Sequence, residues 1–212
     1  MKVLVVGGAG YVGGVIVDLL LEKKNYKITV FDNLLYEDSF RKNCNFVNGD
    51  IRDKKFYKKS LNKFDVVVWL AALVGDGACA INPQLTNDIN FKSLKNLCKV
   101  YNKRIIFIST CSVYGAQNGI LTEESPVNPL SHYASSKLKC EKILQNKNSI
   151  IFRLGTLFGV SDNYSRIRMD LVVNTLSAKA FFEKKMSVFG GEQYRPLLHV
   201  KDVARAIETA IK

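Results

Sequence analysis

The chain lacks the features that mark membrane-spanning, secreted or disordered proteins. None of its apolar runs approaches the roughly 18–20 residues that a transmembrane helix needs. Its five cysteines form no C-x-x-C pair, and their odd number argues against a disulfide framework. Only four of the 212 residues are proline and 47% are hydrophobic, so neither a flexible linker nor a disordered chain is expected. We therefore predict a cytoplasmic protein of one domain, or of one domain plus a fragment, with no metal site and no membrane partner.

Acidic residues are also scarce, and the formal net charge is +12 because 31 Lys and Arg outnumber 19 Asp and Glu. Clustered basic residues can neutralise the phosphates of a nucleic acid. Here 23 of the basic residues are Lys and only 8 are Arg, and no RNP-like, zinc-knuckle or helix-turn-helix motif accompanies them. The charge indicates a solvated, lysine-rich surface or a face that attracts anions, and no nucleic-acid partner is predicted.

Short apolar runs alternate with helix-like stretches along most of the chain. Predicted strands lie at 2–6, 27–31, 45–47, 66–70, 105–108 and 150–152, and predicted helices lie at 11–22, 53–61, 84–101 and 133–146. Past residue 154 the alternation weakens, with helices expected at 170–184 and 202–211 and short strands at 187–189 and 197–200. Continuous Val/Ile-rich strands are typical of a parallel sheet that is buried on both faces. The pattern predicts an α/β, doubly wound (Rossmann) fold with a mostly parallel sheet and helices on both faces.

The strongest local signal is the glycine turn that follows the first predicted strand. Gly7, Gly10 and Gly13 are spaced G-x-x-G-x-x-G, which permits a tight turn, a close approach of backbone to a pyrophosphate, and packing of helix on strand. The free N–H groups of the next helix then favour phosphate. Asp32 ends the second strand, where a carboxylate accepts hydrogen bonds from both ribose hydroxyls and repels a 2′-phosphate. NAD is therefore predicted rather than NADP.

Two further segments fit the rest of a dinucleotide. Asp50 and Ile51 follow the third strand, where Asp50 could accept from the exocyclic amine of adenine while Ile51 covers the ring; Asp50 alone could equally be a helix cap. Leu70, Ala71 and Ala72 end the fourth strand with small residues, which suits a backbone that passes close to a ribose or pyrophosphate, although an ordinary buried strand end looks the same.

The second strong signal is the pair Tyr133 and Lys137, which share one face of a predicted helix. We expect Lys137 to lower the pKa of Tyr133 and an oxidised nicotinamide to lower it further, so that the phenolate becomes a usable general base for a sugar hydroxyl. Thr110, at the end of the fifth strand, can hydrogen-bond the same substrate oxygen and relay the proton.

Together these residues resemble the extended short-chain dehydrogenase/reductase family, in its nucleotide-sugar epimerase/dehydratase branch. The shared motifs are the glycine turn with Tyr11 and Val12, Asp32-Asn33, Gly49-Asp50-Ile51-Arg52, Leu70-Ala71-Ala72, Asn90, Ser109 to Gly115, Tyr133 with Lys137, Arg153-Leu154-Gly155, and Arg195 to Asp202. The resemblance implies tightly held NAD, a nucleoside-diphosphate sugar oxidised at one carbon, usually C4, and a homodimer. It also implies roles for single residues: Thr110 as the hydroxyl group, Tyr133 as the base, Lys137 at the cofactor ribose, Asn90 near the cofactor phosphates, and Arg195 at the substrate diphosphate.

The departures from this resemblance bear on the substrate. Cys111 and Ser112 stand where dehydratase members carry an acidic pair, which argues against 4,6-dehydration. Thr156 replaces an asparagine that contacts substrate in epimerase members. The stretch from Arg166 to Asn174 resembles a subgroup signature; its arginines suggest an anionic substrate group, or else a plain surface loop. Arg168 and Asn174 are therefore predicted substrate contacts, together with Thr110, Thr156 and Arg195.

The length is a further departure, because the chain is shorter than is usual for this branch. We expect an NAD-binding domain with the catalytic helix at 1–154 and a partial, truncated substrate-binding region, interleaved with the sheet, at 155–212. The predicted function is an NAD-dependent nucleotide-sugar 4-epimerase. A C4 dehydrogenase or a dehydratase on the same scaffold is the first alternative, and a non-catalytic NAD-sensing module is the second.

Overall fold

The computed structural model describes residues 1–212, except for the side chain of Lys59. At its centre lies a six-stranded sheet in which all neighbouring strands are parallel. The strands are β1 (Lys2–Val6), β2 (Lys27–Asp32), β3 (Asn45–Asn48), β4 (Val66–Trp69), β5 (Arg104–Thr110) and β6 (Ser149–Leu154), in the spatial order β3-β2-β1-β4-β5-β6. This order confirms the predicted doubly wound fold. It places the switch point of the topology between β1 and β4, where such folds bind ligands at the carboxyl ends of the strands.

Helices cover both faces of this sheet. They are α1 (Tyr11–Leu21), α2 (Asp76–Ile81), α3 (Pro83–Thr86), α4 (Ser93–Val100), α5 (His132–Leu144), α6 (Val172–Phe182) and α7 (Val200–Ile211). Successive residues of β1 face opposite layers: Val3 and Val5 pack with α1 and α7, whereas Leu4 and Val6 pack with α4 and the end of α5. Burying each such side chain contributes about 1.5–3 kcal/mol, which is why the uninterrupted apolar strands lie in the centre.

Several predicted elements differ from those observed. The helix expected at 53–61 is two short 3₁₀ turns, Lys54–Phe56 and Lys59–Lys63. The helix expected at 84–101 is divided, because a π-helical stretch, Asn87–Lys92, separates α3 from α4. Such stretches are frequent at functional sites. Hydrophobic periodicity could not reveal either change, since it reports which side is buried and not the hydrogen-bond register.

The carboxyl-terminal part differs most from the prediction. The strand expected at 187–189 is absent, and those residues are exposed. A strand that was not predicted, β7 (Thr156–Phe158), instead pairs in parallel with β8 (Leu197–His199). The residue Val200, which was expected to end a strand, begins α7. Pairing partners decide which short apolar runs become strands, and they are distant in sequence.

The two predicted functional halves do not correspond to separate cores. Val203 and Ile207 of α7 are buried in the same layer as Ile16 and Leu20 of α1, so the last helix completes the core of the main sheet. The division at residue 154 stays a prediction about function. No helix in the described part of the chain is long and apolar enough to cross a bilayer.

Candidate active site

The glycine turn after β1 lies at the switch point of the sheet. Gly7 has φ 84°, and a Cβ there would lie 2.5 Å from the backbone nitrogen of Ala71. A Cβ on Gly13 would lie 2.3 Å from the carbonyl oxygen of Gly7. The fold itself therefore requires glycine at both positions. At Gly10, in contrast, a Cβ would meet no protein atom closer than 3.7 Å, so the space above it is open to a ligand.

The helix that follows this turn presents free donors. No side chain caps the amino terminus of α1 at Gly10, so its first N–H groups are available to an anion. The carboxylate of Asp32 accepts from the backbone N–H of Ala9 at 3.0 Å and from that of Leu34 at 2.9 Å. These two bonds fix its orientation beside the turn. Open backbone donors and an oriented carboxylate fit the diphosphate and ribose of NAD.

One cleft contains most of the residues predicted to bind the cofactor. Those on its wall are Gly7, Gly10, Tyr11, Val12, Gly13, Asp32, Asn33, Asp50, Ile51, Leu70, Ala71 and Ala72. Residues that were not predicted also line it: Leu35, Tyr36, Glu37, Leu73, Val74 and Ile89. Arg166 and Arg168, which come much later in the sequence than the other lining residues, also lie on its wall.

Asp50 and Asn90 also have partners within the protein. Asp50 accepts a bond from the backbone N–H of Arg52 at 2.7 Å and is paired with its guanidinium, which lowers the pKa of the Asp50 carboxyl. Asn90 is only 2% exposed, and its amide bridges the backbone N–H and carbonyl of Leu73 and the hydroxyl of Ser136. Asn90 therefore supports the wall of the cleft from behind, joining it to α5.

Thr110 ends β5 and stands at the start of a 3₁₀ turn, Cys111–Tyr114. Its hydroxyl oxygen accepts from the backbone N–H of Ser112 at 3.2 Å, and it lies 3.2 Å from the hydroxyl of the same residue. Cys111 follows, half-buried, and burial raises the pKa of its thiol while the charge of Arg195 opposes that change. The thiol therefore stays protonated at neutral pH.

Tyr133 and Lys137 share one face of α5, which Ser131 caps by accepting from the N–H of Ala134 at 3.1 Å. The ammonium nitrogen of Lys137 lies 5.8 Å from the ring centroid of Tyr133. It donates to the carbonyl of Ile108 at 2.8 Å, and Lys137 is only 3% exposed. The Tyr/Lys pair therefore lies against the carboxyl-terminal half of β5, on the same strand that ends in Thr110.

The protein groups around Tyr133 raise the pKa of its phenol, whereas Lys137 was expected to lower it. Burial raises the pKa of its phenol, and Lys137 does not offset this; the cation that lowers it is Arg168. Burial also lowers the pKa of Lys137 to about 8, because a charged ammonium is poorly solvated there. The prediction that Lys137 tunes Tyr133 overlooked the loss of solvation that both groups share.

Arg168 lines the cofactor cleft. Its side chain is 14% exposed and forms an ion pair with Asp170 at 2.5 Å. Its carbonyl accepts from the amide of Asn174 at 3.0 Å, and the Asn174 carbonyl oxygen accepts from the N–H of Gly159 at 2.9 Å. Asn174, predicted to contact substrate, thus holds the segment that carries Arg168. The positive charge of Arg168 acts on the pKa of Tyr11, beside the glycine turn, and on that of Tyr133 on α5, lowering both against the effect of burial.

Thr156 and Arg195 lie outside the cleft. The N–H of Thr156 donates to the carbonyl of Pro196 at 2.7 Å, where β7 meets the residues before β8. Arg195 is exposed and close enough to Cys111 to affect its pKa. The structure therefore places Thr156 and Arg195 on the side of Thr110 and Cys111, apart from the glycine turn.

Sequence reasoning missed a buried network beneath this site. Glu141, 3% exposed, accepts from the hydroxyl of Ser109 and from the guanidinium of Arg153 at 2.7 Å. Arg153 also donates to the hydroxyl of Tyr114 at 2.9 Å. This network ties α5 to β5, β6 and the turn after Thr110. One signal was available: Glu141 continues the spacing of four residues that joins Tyr133 to Lys137.

Comparisons with known proteins agree with this geometry. A family model described as the NAD dependent epimerase/dehydratase family matches residues 3–212. A Methanocaldococcus jannaschii protein provisionally named UDP-glucose 4-epimerase is 32% identical over 96% of this chain and 71% of its own length. A Dictyostelium discoideum dTDP-D-glucose 4,6-dehydratase is 27% identical over 100% of this chain and 55% of its own.

Solved structures show the same relationship. The crystal structure of UDP-glucuronic acid 4-epimerase from Bacillus cereus, in complex with UDP-glucuronic acid and NAD, superposes with a TM-score of 0.85 at 26% identity. That match covers 100% of this chain and 73% of the Bacillus protein. The family match, the Rossmann topology and the site geometry lead to one conclusion: this chain belongs to the NAD-dependent epimerase/dehydratase family.

Proposed function

We propose that this protein is an NAD-dependent UDP-sugar 4-epimerase that works through a transient 4-keto sugar. The observation that carries the proposal is that α5, which bears Tyr133 and Lys137, is joined through Ser136 and Asn90 to Leu73 on the wall of the cleft. Lys137 in turn joins α5 to β5, the strand that ends in Thr110. A base and a hydroxyl next to a dinucleotide cleft suit the oxidation of a secondary alcohol. The names of the relatives support UDP-sugars as the substrate class.

The roles of the residues follow from their surroundings. The Tyr133 phenolate accepts the proton of the C4 hydroxyl, and Thr110 holds the same oxygen by a hydrogen bond. The bound cofactor supplies the hydride acceptor and then the hydride donor. Tyr133 returns its proton to the C4 oxygen after the 4-keto sugar has presented its other face. Positioning thus converts an inversion of configuration into two reversible steps.

The charge of Arg168 partly opposes the effect of burial on the pKa of Tyr133. Burial alone keeps the Tyr133 phenol protonated, and Arg168 favours the phenolate electrostatically. Its place on the wall of the cleft also suits an anionic group, so we assign Arg168 to the cofactor diphosphate rather than to the sugar. Lys137, bound to Ile108 and deeply buried, is assigned to the cofactor ribose.

The substrate side favours epimerisation over dehydration. Cys111 and Ser112 follow Thr110. A half-buried thiol with a raised pKa is a weaker acid than a carboxylic acid, and it does not protonate the hydroxide that must leave the 4-keto sugar in a dehydration. Thr156 and Arg195 are assigned to substrate, with Arg195 at the diphosphate. A homodimer and a cytoplasmic location belong to the same proposal, and light scattering after size-exclusion chromatography tests the dimer.

The experiment is incubation of the chain and NAD with UDP-glucose, with UDP-galactose and with UDP-glucuronic acid, followed by NMR of the sugar C4 configuration. We expect interconversion of C4 epimers, abolished in Tyr133→Phe and retained in Tyr26→Phe, which removes the same hydroxyl far from the site. Release of a 4-keto product would instead favour a C4 dehydrogenase, and a 4-keto-6-deoxy product a dehydratase. NAD binding without conversion of any sugar would favour a sensing module.

A further inference from the structure

The segment that follows β7 is fastened to the backbone of the glycine turn. The hydroxyl of Tyr11 donates to the carbonyl of Gly159 at 2.7 Å. In return, the hydroxyl of Ser161 donates to the carbonyl of Tyr11 at 2.6 Å, and that of Ser165 to the carbonyl of Ala9 at 2.8 Å. These bonds hold the segment across the first turn of α1, next to the donors assigned to the cofactor diphosphate.

A buried ion cluster anchors the same segment. The Lys42 ammonium donates to the carbonyl of Gly14 at 3.1 Å and to the carboxylate of Asp18 at 2.5 Å, and it is also paired with Asp162. The side chains of Lys42 and Asp162 are 4% and 1% exposed. A Cβ on Gly14 would lie 2.5 Å from Asp162 Oδ1, so glycine is what lets Asp162 approach α1. Separating two buried, paired charges is costly.

The contact continues across the mouth of the cleft. The backbone N–H of Arg166 donates to the Glu37 carboxylate, with both oxygens at 3.1 Å. The Arg166 guanidinium lies 4.0 Å from the ring centroid of Tyr36, within the range of a cation–π interaction. Tyr36 and Glu37 follow Asp32 in the connection between β2 and β3, and all four residues line the cleft.

We propose that residues 161–166, which we call the cofactor strap, retain NAD in the cleft, with Lys42 and Asp162 as its anchor. The strap joins α1, the connection from β2 to β3 and the residues before Arg168, so the cofactor can leave only when the strap opens. An epimerase restores its cofactor in every cycle, and slow release does not limit its turnover. Lys42, Asp162 and Arg166 are thus positioning residues. The inference uses the family's cofactor and deepens the proposed function.

The test measures how fast NAD leaves the loaded protein, with no sugar present. Holoenzyme carrying labelled NAD is mixed with excess unlabelled NAD, and the retained label is followed in time. Loss of one partner leaves the other charge buried and unpaired, which favours an open strap. We expect Asp162→Asn and Lys42→Met each to release NAD at least about tenfold faster. In the double variant, the increase in release rate should be smaller than the product of the two single increases, because both changes break the same ion pair.

Three further variants separate retention from general stability. Arg166→Ala removes the guanidinium from the Tyr36 ring while leaving the backbone bond to Glu37 and the buried cluster intact, and we expect faster release with an unchanged melting temperature. Lys42→Arg keeps the charge and should restore slow release relative to Lys42→Met. Lys212→Met removes an exposed lysine from its pair with Glu208 and should release NAD as the unaltered protein does.

Unchanged release in Arg166→Ala and Asp162→Asn would overturn the inference, and if Asp162→Asn fails to fold, Arg166→Ala decides alone. An unaltered protein that retains no NAD would overturn it as well. A protein that retains NAD through the strap and converts no sugar would contradict only the proposed function.

Discussion

The ammonium nitrogen of Lys137 donates to the carbonyl oxygen of Ile108 at 2.8 Å, one helical turn after Tyr133. This bond connects the helix α5 to the strand β5 that carries Thr110. It also keeps a positive charge where water cannot solvate it, and the pKa of Lys137 falls to about 8 as a result. Stability and activity therefore make opposing demands on this residue.

Lys137→Met should stabilise the protein at neutral pH and abolish turnover. The ammonium pKa is about 8 in the folded protein, below its ordinary value of 10.5, so the unfolded chain binds more protons between these values. The free energy of unfolding contributed by Lys137 thus rises with pH across that window and is lowest below it. The free energy of unfolding of Lys137→Met should exceed that of the unaltered protein by about 3 kcal/mol at pH 7, and this difference should shrink above pH 8. Urea unfolding from pH 7 to pH 10 measures it, and a difference independent of pH would contradict the buried charge.

Arg168→Met should shift the pH dependence of turnover. Arg168 is the cation that lowers the pKa of Tyr133, so its loss raises that pKa, and the rise of activity with pH should move to higher pH. Arg205→Met is the matched control, because Arg205 is exposed on α7 and paired with Asp202. The rate of C4 inversion measured against pH provides the test. An identical acid limb in Arg168→Met would show that another group sets the basicity of Tyr133.

Gly10→Ala and Gly13→Ala should fail in different ways. A Cβ on Gly13 would lie 2.3 Å from a backbone oxygen, so we expect a large loss of stability. A Cβ on Gly10 meets nothing in the protein within 3.7 Å, so that variant should fold normally and bind NAD weakly. Melting temperature and NAD titration distinguish the two. Normal NAD affinity in Gly10→Ala would mean that the cofactor does not approach this backbone.

Asp32→Asn should weaken the preference for NAD over NADP. The carboxylate is oriented by two backbone N–H groups, and its charge repels a 2′-phosphate. The asparagine keeps an acceptor and loses the charge, so NADP affinity should rise relative to that of NAD. Asp38→Asn, which removes a charge from an exposed position nearby, should leave the ratio unchanged. The ratio of the two dissociation constants decides the matter.

Glu141→Gln should destabilise the protein by about 3–5 kcal/mol, because it leaves the Arg153 guanidinium without its buried carboxylate. Asp202→Asn breaks an exposed pair with Arg205 and should cost less than about 1 kcal/mol. Thermal or urea unfolding compares them. Equal small effects would mean that the network under the site contributes little to stability.

The local signals in the chain were sufficient for the Rossmann topology, the glycine turn and the pairing of Tyr133 with Lys137. Apolar strands, a G-x-x-G-x-x-G turn and a spacing of four residues depend on near neighbours, and near neighbours are what a sequence displays. The cofactor residues from Gly7 to Ala72 follow consecutive strands, so their convergence on one edge of the sheet also follows from the order of elements. The bonds of Asn90 to Leu73 and Ser136 were not foreseeable in this way, because they join segments distant in sequence.

Only the tertiary structure decided where the distant groups lie. Arg168 reaches the cleft, Glu141 joins Arg153, and Lys42 meets Asp162 across separations that no local pattern encodes. The pKa of the Tyr133 phenol is raised because the ring is buried, and burial is a property of the packed molecule rather than of the Tyr/Lys spacing. The scarcity of acidic residues, so prominent in the composition, proved secondary. Three carboxylates have defined partners that only folding brings to them: Asp32 binds the backbone of the glycine turn, Glu141 pairs with Arg153, and Asp162 pairs with Lys42.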